Sequence, residues 1–332
     1  MALRLSLPTA LSLPIFLFFP GHCPAVSPGN YPALQTFIQD MSSKHGLAVP
    51  DLNQWFDQAA IRQDILAAVN APKEALPWYR YRELFVTKQS AMRGKRFWQA
   101  NARSLARAEE EYGVDPATVT AILGVETQYG RNLGRHRVMD ALTTLMLEYP
   151  PRRVFFRREL EEYLLLTREL GIDPLMLRGS YAGAIGVPQF IPSSYRRYAV
   201  DFDGDARVNL VDSTADAIGS VANYFSQHGW ERDGLVIADI RLEGELAAWI
   251  EELDSTSITP LKYLITYGIL PLEYNNIDQS AALIRLEEEA GPVYRFGYNN
   301  FYVITRYNHS RNYAMAVYEL SQWIRRLQEQ RP

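Results

Sequence analysis

The segment Ala121-Ile-Leu-Gly-Val-Glu126-Thr-Gln-Tyr-Gly130 sets one carboxylate among apolar residues. Val119, Ile122, Leu123 and Glu126 fall at i, i+3, i+4 and i+7, one face of a helix. Ala121 and Val125 make much of the remaining surface apolar, so the helix is expected to be enclosed. A carboxylate on such a face loses hydration unless it is paired or protonated. Burial favours the neutral acid and raises its pKa. An acid still protonated near neutral pH can donate to a leaving group. The structural alternative is a glutamate at a helix end, bonded to backbone or to an arginine.

A second group of carboxylates suits a different chemistry. Asp201-Phe-Asp203-Gly-Asp205-Ala-Arg207-Val-Asn209 has the D-x-D-x-D start of a calcium loop. Carboxylates at the first, third and fifth positions and the Arg207 carbonyl at the seventh would supply hard oxygen ligands. The standard loop closes with an acid at the twelfth position, where Asp212 stands. Position six normally holds glycine for a left-handed turn, and here it is Ala206, a strain of roughly 1 kcal/mol. The alternative is a surface acidic loop. No P-loop, HExxH, CxxC or nucleophile-elbow motif is present, and the scattered histidines do not suggest zinc.

The elements that must position these groups are mostly helical. Asp115-Pro116 supplies an N-cap and a first-turn proline for the helix of Glu126. Trp98 to Tyr112, Val138 to Glu148 and Val154 to Leu170 carry helical spacing, with Pro150-Pro151 breaking the last two apart. Gly179 to Tyr195 holds three glycines and two prolines, a tight loop region rather than a linker. Ala215 to Gln227 is helical, and Phe301 to Leu327 reads as one closing helix. Between them, Val236 to Leu242 and Ala281 to Leu286 read as strands. The expected organisation is a signal peptide over 1–25, an N-terminal helical region over 28–110 and a core over 111–232. A small β-containing subdomain over 233–298 and a C-terminal helix over 299–328 complete it.

Composition sets outer limits. With 332 residues, 47% of them hydrophobic, the chain can bury a sizeable core. A net charge of −4 gives no basic excess for nucleic acid. The 20 tyrosines and 6 tryptophans suit a sugar cleft, although aromatic residues also fill cores. Met1 to Arg4 is a short basic region, Leu5 to Phe19 an apolar run, and Gly21 to Ala25 offers a cleavage site. A membrane span needs roughly 20 apolar residues, and this run is shorter and contains two prolines. Export is therefore expected. Cys23 is the sole cysteine, preceded by His22 where lipidation would want a small residue. Cleavage after Ala25 would leave a chain without disulfides.

Five motifs in order resemble the lytic murein transglycosylase B family. They are Gly124-Val-Glu-Thr-Gln-Tyr-Gly130, Gly179 to Tyr195, Asp201-Phe-Asp-Gly-Asp205, Ser220-Val-Ala-Asn-Tyr224, and Ile304-Thr-Arg-Tyr-Asn-His-Ser310 with Tyr313-Ala-Met. The resemblance runs from about Trp98 to Val317. It implies a mainly α, α+β fold: a lysozyme-like catalytic core with an N-terminal helical part and a small β-containing insert. It also implies an exported, periplasmic, monomeric enzyme acting on peptidoglycan glycan strands, with membrane association only if Cys23 is lipidated.

The implied reaction cleaves the β-1,4 bond between N-acetylmuramic acid and N-acetylglucosamine. The muramyl 6-hydroxyl attacks internally and leaves a 1,6-anhydro sugar, and no cofactor takes part. Glu126 matches the catalytic acid. Glycosidases ordinarily use two carboxylates, but an internal nucleophile removes the need for the second and gains effective molarity. Asp140 on the next helix reads as a cap or ion pair. The resemblance puts Gln189, Ser180, Tyr224, Tyr307, Asn308 and Tyr313 at the sugar site, Arg152 and Arg153 at the peptide stem, and Asp216 as the closing ligand of the calcium loop with Asp201, Asp203, Asp205 and Arg207. A muramidase of the same fold and a non-catalytic peptidoglycan-binding protein are the rival expectations.

Overall fold

The computed structural model describes residues 26, 28–71, 75–243, 258–274 and 276–330. The expected signal peptide, Cys23 included, lies outside them. Helices α1 (Pro32–His45), α2 (Val49–Asp57), α3 (Gln63–Val69), α4 (Trp78–Phe85), α5 (Lys88–Ala100) and α6 (Ala102–Tyr112) form the N-terminal part. They lead into α7 (Pro116–Thr127), which carries Glu126.

The start of α7 follows from its sequence. The Asp115 carboxylate accepts the backbone N–H groups of Ala117 and Thr118, at 3.2 and 3.1 Å, satisfying donors that the helix itself cannot. Val119, Ala121, Ile122 and Leu123 are wholly buried, so α7 is enclosed on all sides, as an all-apolar helix must be. Gly124 sits within it because the Tyr129 ring lies on that spot: a β-carbon there would be 2.5 Å from the Tyr129 hydroxyl oxygen. The helix ends where Gln128 turns left-handed (φ 52°) and donates its N–H to the Gly124 carbonyl at 3.0 Å.

A two-stranded pair holds the next region. Strand β1 (His136–Arg137) runs antiparallel to β2 (Arg178–Gly179), His136 facing Gly179. Between them lie α8 (Val138–Glu148) and α9 (Arg153–Leu170), separated at Pro150–Arg152 by a short 3₁₀ turn. After β2 the glycine-rich segment folds back on itself through Ser180 N–H to Ala184 O and Ile185 N–H to Phe190 O. Helices α10 (Pro192–Tyr198) and α11 (Thr214–Gln227) follow, flanking the acidic loop.

The remaining strands form one antiparallel sheet in the order β4-β6-β7-β3-β5. These are β3 (Ile237–Leu242), β4 (Thr259–Pro260), β5 (Ile269–Pro271), β6 (Ser280–Glu288) and β7 (Gly291–Gly297), with α12 (Leu261–Thr266) after β4. Strand β6 shows why the sheet stays with the helices. Ala281 and Leu283 join a small core with Leu261 and Phe296, whereas Ile284 and Leu286 join the main helical core. Alternate side chains on a strand point to opposite faces, so β6 is buried on both.

The C-terminal part differs from the single helix expected. It forms α13 (Asn299–Tyr307) and α14 (Arg311–Glu329), broken at Asn308–Ser310. Ser310 is the reason: its side chain accepts the Tyr313 N–H at 3.2 Å and starts a new helix. The break turns Tyr307 and Tyr313 so that their rings stack at 6.4 Å.

Candidate active site

Glu126 is half-buried at the last turn of α7. The hydroxyl of Tyr313, from the first turn of α14, donates to its Oε1 at 2.5 Å. Tyr313 is 2% exposed, so this bond lies out of bulk water, where a charge-assisted bond is strong. Burial first, and then the Glu126 charge, push the Tyr307 and Tyr313 hydroxyls well above the ordinary tyrosine range. Both therefore stay protonated and keep a proton to donate, and neither sets an alkaline limb to activity below about pH 10. Among the described residues, Glu126 is the one carboxylate acting on this tyrosine pair.

Asp140 serves elsewhere. It accepts the Ala60 N–H at 3.1 Å and the Arg137 Nε at 2.8 Å, so it is a buried structural carboxylate. Both bonds tie Asp140 to the chain itself rather than to a site around Glu126.

The glycine-rich segment is fastened to the end of α7. The Thr127 hydroxyl donates to the Val187 carbonyl at 2.9 Å, one residue beyond Glu126 and two before Gln189. Gln189 is left-handed (φ 52°), as are Gln128 and Tyr129. Three strained non-glycine residues, two just after Glu126 and one on the segment fastened to Thr127, are held by their surroundings. The Gln189 Nε2 donates to the carbonyls of Leu133 (3.2 Å) and Gly186 (2.8 Å). Its Oε1 is the end left to accept from a ligand.

Gln189 also lines a cavity of about 370 Å³, together with Arg152, Phe155, Phe156, Phe190, Tyr224, Arg306, Tyr307, Asn308 and His309. Glu126 is not itself in that wall; Tyr307, stacked on Tyr313, connects the two. The Tyr224 hydroxyl donates to the Arg306 carbonyl at 2.6 Å and the Tyr307 hydroxyl to the Pro188 carbonyl at 2.5 Å. The rings thus present faces and edges to the cavity while their hydroxyls bind the protein.

Other expected site residues sit differently. The Ser180 hydroxyl accepts the N–H groups of Ala182 and Ala184 and caps its own turn. The adjacent arginines diverge. Arg152 stacks on Phe155, 4.1 Å from the ring centroid, at the cavity wall. Arg153 donates to the Leu147 carbonyl at 3.1 Å and closes the end of α8. Sequence reasoning passed over Phe155, Phe156, Phe190, Arg306 and His309. The last three stand inside the motifs Gly179 to Tyr195 and Ile304 to Ser310, which was the available signal. It also missed Tyr81 of α4, buried and close enough to raise the Tyr313 pKa.

Oxygens of Asp201, Asp203 and Asp205 converge to within 4.8 Å of one another. Asp201 accepts the N–H groups of Gly204, Asp205 and Ala206, which rolls the loop up. Ala206 is left-handed at φ 68°. Asp216, 1% exposed, accepts the Phe202 N–H at 2.7 Å and the Asn209 N–H at 2.8 Å, tying both ends of the loop to α11. Asp212 accepts the Asn209 side-chain amide instead. Hard carboxylate oxygens in this arrangement fit calcium.

Removing the Tyr313 donor is expected to lower turnover about tenfold, the size of one hydrogen bond to a charged group. Tyr313→Phe keeps the ring packing, so the far-ultraviolet spectrum should be unchanged while kcat falls. An unaltered kcat would mean that the bond does not position Glu126.

Comparison with known proteins identifies the family and the fold. The chain matches the family description "Transglycosylase SLT domain" over residues 29–322. It is 41% identical over 305 residues to the membrane-bound lytic murein transglycosylase B of Escherichia coli K12, covering 89% of this chain and 83% of that one. It is similar to the soluble lytic transglycosylase SltB1 of Pseudomonas aeruginosa, with 45% identity and a TM-score of 0.83, covering 90% of this chain and all of that one. It is also similar to the Escherichia coli lytic transglycosylase SLT35 in complex with calcium, with 40% identity and a TM-score of 0.84, covering 91% and 96% of the two chains. A mainly helical, lysozyme-like fold with a small sheet and a family match from residue 29 to residue 322 place this chain in the transglycosylase SLT family.

Proposed function

We propose that this protein cleaves the β-1,4 bond between N-acetylmuramic acid and N-acetylglucosamine in peptidoglycan without adding water, with Glu126 as the only acid and base. The observation that carries this is the Glu126 carboxylate, held by the hydroxyl of Tyr313, whose ring stacks on Tyr307 of a ring-lined cavity. Protonated Glu126 gives its proton to the glycosidic oxygen as the bond to the muramyl anomeric carbon breaks. The resulting carboxylate then takes the proton of the muramyl 6-hydroxyl as that oxygen bonds to the same carbon. Acid and base are one group at two moments, and the proton count closes without a second carboxylate. The internal hydroxyl gains the advantage of an oriented intramolecular reaction. Tyr313 stays a hydrogen-bond donor throughout and steadies the charged form between the steps.

Gln189 Oε1, the faces of Tyr224 and Tyr307, and Asn308 are assigned to sugar binding at the cavity wall, with Arg152 toward the peptide stem. Ser180 supports that wall by holding its turn, and Arg153 by closing α8.

Product mass is the test. Digestion of purified sacculi should release fragments whose masses sum to that of the strand, ending in 1,6-anhydromuramic acid. Fragments heavier by one water, with reducing ends, would identify a muramidase and overturn the transglycosylase reading. Binding to sacculi without release by fresh enzyme would identify a binding protein.

The acidic loop is assigned a structural calcium ion through Asp201, Asp203, Asp205 and the Arg207 carbonyl. Asp216 is the proposed closing ligand; it stands outside the three converging carboxylates, and its oxygens accept the Phe202 and Asn209 N–H groups with a lone pair each to spare. Calcium at about a hundred times its dissociation constant would add roughly 2.7 kcal/mol to stability. Thermal melts should therefore show a higher midpoint with calcium than with chelator, and equal midpoints would exclude the ion. Residues 1–25 are assigned to export into the periplasm, where the substrate lies. Among the described residues no helix is long and apolar enough to cross a membrane.

A further inference from the structure

A second cavity, of about 600 Å³, adjoins the sugar cavity and shares Ser194 and Tyr224 with it. Its charged lining is Arg158, Glu162, Arg196, Arg197 and His228. Glu162 is already paired with Arg196, which also grips Glu169 at 2.7 Å. Glu159, buried beside Arg158, is satisfied by the Ser193 N–H and hydroxyl at 3.0 and 2.8 Å. His228 is held between the Tyr224 carbonyl, 2.7 Å from its Nδ1, and the Tyr198 hydroxyl. Arg158 and Arg197 are exposed, and among the described residues neither has a carboxylate within salt-bridge distance. Arg197 lies 5.2 Å from the centroid of the Tyr198 ring. Two cationic forks therefore face one polar cavity in a chain whose net charge is −4.

We propose that Arg158 and Arg197 form a subsite for the free carboxylates of the peptide stem carried by the glycan strand. This rests on the peptidoglycan reading above. Arginine suits the ligand because its planar fork meets a carboxylate with two parallel hydrogen bonds. The location suits it because a branch leaving a sugar in the first cavity reaches the second past Ser194 and Tyr224. An extended stem gains about 3.5 Å per residue, and the two cavities share the Ser194 and Tyr224 walls. The subsite also takes the place of Arg153, whose guanidinium closes α8 instead.

The experiment compares strands of equal length, stem-bearing and enzymatically stripped of peptide, binding to the Glu126→Gln protein in a calorimeter. Stem-bearing strands should bind more tightly. Adding Arg158→Gln and Arg197→Gln should remove about tenfold of that preference, the sum of two solvent-accessible ion pairs. The singly substituted proteins should each lose part of it, which keeps the test available if the double variant folds poorly. An equal affinity for both strands before substitution, or a preference unchanged after it, would overturn the subsite. Failure of the activity itself would show differently, as wild-type protein releasing no product from either strand.

Discussion

Glu126→Gln should lose turnover by at least about a hundredfold and up to ten-thousandfold, the range supplied by a positioned acid and base. Glutamine has the same shape, and its Oε1 can still accept from the Tyr313 hydroxyl. It can neither donate a proton to a leaving oxygen nor take one from a 6-hydroxyl. The thermal midpoint should stay within about a degree, because the residue is half-buried and the substitution keeps its shape. Release of soluble fragments from sacculi is the measurement. Residual activity within tenfold of wild type would mean that another group protonates the leaving oxygen. The loss should be near the upper figure, because in the proposed mechanism one group performs both proton transfers.

Asp140→Ala should do the reverse: destabilise strongly and leave the chemistry alone. Asp140 is 4% exposed and bridges the Ala60 N–H to Arg137, whose other nitrogen donates to the Gln58 carbonyl at 2.8 Å. It thereby fastens the segment between α2 and α3 to α8. Alanine leaves a buried N–H without an acceptor and a guanidinium without its counter-charge, a loss of about 3 kcal/mol. Urea titration should show this as an earlier midpoint with an unchanged slope. Below that midpoint, kcat should match wild type. A protein of native stability with no activity would instead make Asp140 the missing second carboxylate.

What could be read from the chain depended on how local its cause was. The helix of Glu126 was legible because its cap, its first-turn proline and its apolar face lie within a dozen residues. The enclosure of that helix followed from the same run. The glycine-rich loop was legible as composition but not as geometry. Nothing in the sequence says that Thr127 grips Val187, or that Gln189 turns its nitrogen to Leu133 and Gly186. Arg152 and Arg153 are neighbours in sequence, yet the turn at Pro150–Arg152 sends them to different places. Tyr81 was invisible because it arrives from α4, distant along the chain and near only after folding. The C-terminal break was written in Asn308-His-Ser310, though the apolar spacing on either side masked it.

The tyrosine hydroxyls bonded to the Arg306 and Pro188 carbonyls carry a consequence for temperature. Rings immobilised during folding have little freedom left to lose when a sugar arrives. Ligand capture by such walls draws on enthalpy, and the entropic penalty that a loose aromatic cleft would suffer is small. Cutting one tether, as in Tyr307→Phe, converts a rigid wall into a rattling one. The affinity of that wall should then be lower than that of the intact protein by a factor that stays the same on warming, because the loss is one of entropy.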